Sequence, residues 1–99
     1  MTRIFKTKGK IWLYPGTSGW HFVTLPKNTK EEIDFFFSDF KRGWGSLPVL
    51  VTVGETSWKT SIFPDKKEGS YILPLKAEIR KIESLHEGDN INLTLEIKS

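Results

Sequence analysis

YILPLKAEIRKIESLHEGDNINLTLEI, residues 71–97, decides the fold. Its first residues make a short apolar strand from Ser70 to Leu73 that ends on Leu73-Pro74. AEIRKIESL then has the spacing of a short helix that buries Ile79 and Ile82. Glu87-Gly88-Asp89 is a turn. After it, Ile91, Leu93, Leu95 and Ile97 alternate with Asn92, Thr94, Glu96 and Lys98, the period-two pattern of a half-buried strand. The same order of parts occurs upstream. GWHFVTLPKN, residues 19–28, is a strand ending on Leu25-Pro26 ahead of another helix. The two Leu-Pro pairs are 48 residues apart, about half the chain. Each half reads strand, Leu-Pro, short helix, glycine turn, strand. A repeat of this kind can set the whole architecture. It predicts a mainly β protein in one domain, residues 1–99, whose two pseudo-symmetric halves close one small barrel with a short helix at each end.

The remaining segments fit that plan. Residues 3–14 form a strand with Lys6, Lys8, Lys10, Trp12 and Tyr14 on one face, and Gly9 suggests a bulge. In residues 20–25 both faces are apolar, which predicts a strand buried on both sides. Thr29 and Glu32 have capping-box spacing. Ile33, Phe36, Phe37 and Phe40 follow as one helical stripe, Lys41-Arg42 suit the last turn, and Gly43 stops the helix. LPVLVTV and SWKTSIF read as a hairpin about Gly54-Glu55-Thr56, followed by a charged loop from Pro64 to Gly69.

Composition narrows the chemistry. The chain has no cysteine, which removes disulfides, thiolate metal sites and cysteine nucleophiles together. The two histidines show no metal-ligand spacing, and no cofactor is implied. No P-loop, Rossmann, Gly-x-Ser-x-Gly or HExxH pattern occurs, so a binding module is expected and not an enzyme. The start, MTRIFKTKGK, lacks the apolar centre of a signal peptide, and no apolar run has the length of a membrane span. The expectation is a cytoplasmic protein. Its net charge of +3 is unevenly placed: six bases precede the first acid, Glu31, and the rest holds nine bases against twelve acids. A basic first third suits an anionic partner.

GWHFVTLP, RGWGSLPV, TSWKTSIFPDKK and YILPLKAEIRKIESLHEGD, in that order, resemble an uncharacterised bacterial family, domain of unknown function nineteen-oh-five. The resemblance covers nearly the whole chain. It implies a double-split β-barrel, a fold shared with AbrB/SpoVT transcription factors, and it implies a monomer in which one chain supplies both units of the barrel. The second half is itself similar to the AbrB unit, with extra residues between Pro74 and Ile79.

Two residue sets follow. Trp20, His21, Arg42, Trp44, Trp58, Lys59 and Asp65 lie in or beside the family-like motifs. If loops 16–19, 43–46 and 64–69 surround one cleft, these residues would bind a small ligand or anion, with indoles as a platform and a guanidinium beside them. The plainer reading buries the tryptophans and satisfies His21 in the core or at the barrel rim, with Asp65, Ser46 or Thr60 as its partner. The second set is Lys6, Lys8, Lys10, Arg80 and Lys81, the basic residues of a DNA-associated, AbrB-like module. There, lysines hold phosphates and Trp12 and Tyr14 stack on bases. The plainer reading is a solvated face that protects a sheet edge. An accessory protein-interaction role would instead place Phe35 in an exposed apolar patch.

Overall fold

The computed structural model describes residues 1–16 and 19–99. Its elements are β1 (Thr2–Leu13), β2 (His21–Thr24), α1 (Lys27–Phe37), β3 (Leu47–Val53), β4 (Thr56–Asp65), β5 (Ser70–Pro74), α2 (Ala77–Ile82) and β6 (Asn90–Lys98). The six strands close into an antiparallel barrel in the order β1-β2-β5-β4-β3-β6. Exchanging β1 with β4, β2 with β5 and β3 with β6 leaves this order unchanged. The two-half organisation is therefore present in the topology.

The repeat is real, but its spacing is 50 residues across β2 and β5, not 48. Leu25 N–H donates to Tyr71 O at 2.9 Å, and Leu75 N–H donates to His21 O at 2.9 Å. Lys30 N–H reaches Pro26 O at 3.0 Å, and Arg80 N–H reaches Lys76 O at 3.1 Å. Leu25 thus matches Leu75, and His21 matches Tyr71. The two Leu-Pro pairs are not equivalent. A slip of two residues keeps strand parity, so the pattern reads alike at either spacing.

Parity fills the barrel. Ile11, Val23, Leu73, Ile62, Val51 and Leu95 point inward and are buried. Each such side chain contributes about 1.5–3 kcal/mol relative to exposure. In β6 the alternation holds as expected, with Ile91, Leu93, Leu95 and Ile97 buried. Strand β2 departs from expectation: Val23 is buried, but His21 and Phe22 are only half-buried.

Helix α1 starts earlier than the sequence suggests, and both helices stop sooner. Pro26 precedes α1, with no side-chain cap. Thr29 lies inside the helix, buried, with its hydroxyl on Thr7 Oγ1 at 3.1 Å, so Thr29-Glu32 is not a capping box. Pro26 takes the position before the first helical residue, at φ −58 and ψ 152, where its fixed φ leads into the helix. Ile33 and Phe37 are buried, but Phe40 belongs to a separate 3-10 turn, Ser38–Phe40, and is exposed. In α2, Ile79 is buried and Ile82 is exposed. Pro64-Asp65 belongs to β4 and not to the loop after it.

Two strands change partners midway. β1 pairs with β6 over Thr2–Lys10 and with β2 over Ile11–Leu13. β4 pairs with β3 over Thr56–Ile62 and with β5 over Phe63–Asp65. At each change the new neighbours diverge, and a helix lies beside the divergence. Gly9 sits at the first. A Cβ there would stand 2.5 Å from Val23 Cγ1 and 3.0 Å from Thr24 O. The β1–β6 register runs unbroken through Gly9, so the residue permits close approach of β2 and marks no bulge. Trp12 opposite Phe22 corresponds to Phe63 opposite Ile72, so the counterpart of Gly9 is Thr60.

Candidate functional site

The divergence of β4 from β5 is a cleft of about 610 Å³. Its walls come from Trp58, Lys59, Thr60 and Phe63 of β4, Ile72 and Pro74 of β5, and Trp20, His21 and Phe22 at the start of β2. Leu75, Lys76, Ala77 and Arg80, the residues that lead into and form α2, close it. Trp58 is 7 % exposed and belongs to the core as well as to the cleft floor. Trp20 stands exposed at the rim.

His21 holds a specific arrangement. Gly19 O can only accept, so the neutral ring donates from Nδ1, 2.8 Å away. Nε2 is then an acceptor and faces Arg80 Nη1 at 3.5 Å. The same guanidinium donates from Nε to Leu75 O at 3.0 Å and from Nη2 to Gly19 O at 3.3 Å. A planar fork with five donors can serve several acceptors at once. Arg80 therefore ties α2 to the turn before β2. Charge in the lining has one sign: Lys59, Lys76 and Arg80 are cations, and no carboxylate is among the described lining residues. Those three make no ion pair among the described residues.

At the other end Tyr71 fills the position of His21, and the groove beside α1, about 660 Å³, is bordered instead by Lys6, Thr7, Lys8, Thr29 and Glu32. Tyr71, 1 % exposed, lies under α1 and donates its hydroxyl to Asp34 Oδ1. Lys30 reaches Asp34 Oδ2 at 2.7 Å and Lys41 reaches Oδ1 at 3.2 Å. Burial pushes the Tyr71 pKa well up from 10.0, and the neighbouring Asp34 carboxylate adds to that. Burial alone would raise Asp34, but the hydrogen bonds from Lys30, Tyr71 and Lys41 outweigh it and hold its pKa below 3.8.

Of the first residue set, Trp20, His21, Trp58 and Lys59 meet in the cleft, and Arg42, Trp44 and Asp65 do not. Asp65 Oδ1 accepts from the backbone of Lys67 at 2.9 Å and Glu68 at 3.3 Å, fixing the β4–β5 turn. It is not the partner of His21, and neither Ser46 nor Thr60 is. Arg42 borders a second groove with Pro48, Glu96 and Lys98, which shares Lys59 and Thr60 with the cleft. Trp44 is 95 % exposed at φ 65, on a 3-10 turn, Gly43–Gly45, that does not line the cleft. Residues 17 and 18 of the expected loop 16–19 lie outside the described residues. Phe35 is 81 % exposed, edge-on to Phe36.

The second set falls in two places. Lys6 and Lys8 border a groove beside α1, whereas Arg80 is committed to the cleft beside α2. Arg80 is the cleft residue that sequence reasoning placed elsewhere. The half-repeat carries the signal for it: it is the fourth residue of α2, the helix that follows β5, and β5 pairs with the strand that begins at His21. Phe63 was legible by alternation as an outward residue of β4, whereas Ile72 lies in the apolar run Tyr71-Ile72-Leu73, where alternation gives no signal.

Among the described residues, no helix is long and apolar enough to cross a membrane. No curated protein matches the sequence. Family comparison does find a match: residues 8–95 fit the model of Domain of unknown function (DUF1905), a span that takes in the second half of β1, most of β6 and every element between them, and the chain belongs to this family.

Proposed function

We propose that the chain is a small monomeric cytoplasmic binding module whose cleft takes a small organic anion with an apolar body. One observation carries this reading: aromatic and aliphatic walls enclose a cleft whose charged groups, Lys59, Lys76 and Arg80, are all cations. Apolar walls with a few polar groups are the usual make-up of a small-molecule site. An unopposed set of cations selects the ligand's sign. Both ring nitrogens of His21 are engaged, by Gly19 and Arg80, which leaves no free base beside a bound molecule. That favours binding over catalysis.

The test uses two fluorescent probes that share their rings. Anilinonaphthalene sulfonate carries an anion, and N-phenylnaphthylamine does not. The sulfonate is expected to bind at least about tenfold tighter, a difference of about 1.4 kcal/mol. Lys59→Gln with Lys76→Gln should remove most of that preference. Equal binding of the two probes, or a preference that survives both substitutions, contradicts the reading. Displacement by a series of arene and alkyl carboxylates then ranks the natural ligand class.

A further inference from the structure

We infer that the outer face of β1 and β2 binds single-stranded nucleic acid. This reading does not use the cations of the cleft. Lys6, Lys8 and Lys10 stand exposed in one row on β1. Alternate strand residues repeat at about 7 Å, a spacing suited to successive phosphates of an extended strand. Opposite them on β6 stand Thr94, Asn92 and Asn90, all neutral. The three lysines make no ion pair among the described residues. Glu32, on α1, is the carboxylate in the groove that Lys6 and Lys8 border, and it lies off the strand.

The row runs directly into an aromatic platform. Trp12 and Phe22 have centroids 5.3 Å apart, Tyr14 and Phe22 5.9 Å, and Tyr14 and Trp20 6.3 Å. Tyr14 and Trp20 are exposed. Trp12 Nε1 donates to Thr24 Oγ1 at 2.9 Å, which holds that indole in place. A backbone-tracking basic row that ends on stacked rings is the arrangement that binds unpaired strands with little sequence preference, because every base has a π-face. Duplex bases are already stacked and offer the platform nothing. Along Lys6–Lys10 β1 pairs with β6 alone, so the same lysines also guard an open strand edge, and the aromatic platform beside them is what an edge role leaves unexplained.

Fluorescence anisotropy with a labelled oligothymidylate tests this, using the full chain. Neutralising about three phosphates gives a salt slope near −0.7 per phosphate, so binding should weaken about 20-fold between about 50 and about 200 mM salt. A duplex of comparable length should bind at least about tenfold more weakly than the single strand. Lys6→Gln, Lys8→Gln and Lys10→Gln together should weaken the single strand about tenfold or more and leave affinity for anilinonaphthalene sulfonate unchanged. Trp20→Ser, at an exposed position, should weaken it about fivefold or more. Absence of binding at low salt, duplex binding as tight as single-strand binding, or a triple-lysine variant that binds like the parent overturns the inference. Failure of the sulfonate probe alone defeats the cleft reading and leaves this one standing.

Discussion

The two ends of the barrel are built from equivalent parts and finished differently. At one, Tyr71 lies beneath α1, its hydroxyl on Asp34, and eleven helical residues bring Ile33 and Phe37 down as a plug. At the other, His21 takes the place of Tyr71, and α2 has six residues. Glycine at position 9 lets β1 close on β2, whereas threonine at position 60 stands where β4 leaves β5. The end with the shorter helix carries an apolar cleft whose charged groups are all cations, and the end with the longer helix carries a more polar groove that includes Glu32.

The comparison breaks most readily at the plug. Phe37 is fully buried and packs edge-on against Phe5 at 6.3 Å. Phe37→Ala is expected to cost about 3–5 kcal/mol in urea unfolding. Ile82→Ser, on the exposed side of the shorter helix, should stay within about 0.5 kcal/mol.

Next in size is Tyr71→Phe. It removes a hydrogen bond to a charged group, worth about 1.5–3 kcal/mol. It also sharpens the comparison through pH. The Tyr71 pKa is raised in the folded chain, so the unfolded chain ionises first as pH climbs past 10.0, and the stability it contributes is lost there. Tyr71→Phe should lack that part of the alkaline loss. Asp34 has the opposite sign. Its folded pKa is lowered, so its contribution is full above 3.8 and is lost as pH falls below that value. Asp34→Asn should flatten the acid limb of the stability profile.

Gly9→Ala should cost about 1–3 kcal/mol, because the added carbon meets Val23 and a carbonyl and not a flexible side-chain end. Thr60→Ala, at the equivalent position, should cost under about 1 kcal/mol and should alter probe affinity in the cleft. Equal costs at both positions would remove the argument that glycine seals one divergence.

Strand parity and element order were legible because period two survives in any sheet with one buried face. β6 shows this, as does the two-half plan. The spacing was misread because Leu-Pro recurs two residues out of true register, and parity cannot distinguish 48 from 50. Tryptophan, histidine and lysine near the strand ends were legible as a site. Arg42, Trp44 and Asp65 were drawn in by closeness to the same motifs, but strand β4 runs on through Asp65 and carries it to the far turn. Arg80 was missed because its role depends on which backbone carbonyls a helix meets after the barrel closes, and no local pattern encodes that.

The central claim is that broken symmetry opens one end for an anion. The most direct measurement is a nitrogen–proton correlation spectrum recorded while anilinonaphthalene sulfonate is added. The account predicts saturable shifts in the Trp58 and Trp20 indoles and the Lys59 and Arg80 amides, with Lys30, Asp34 and Tyr71 unmoved. Shifts confined to the Phe35–Phe36 surface, or shifts of equal size at both ends of the barrel, would contradict it.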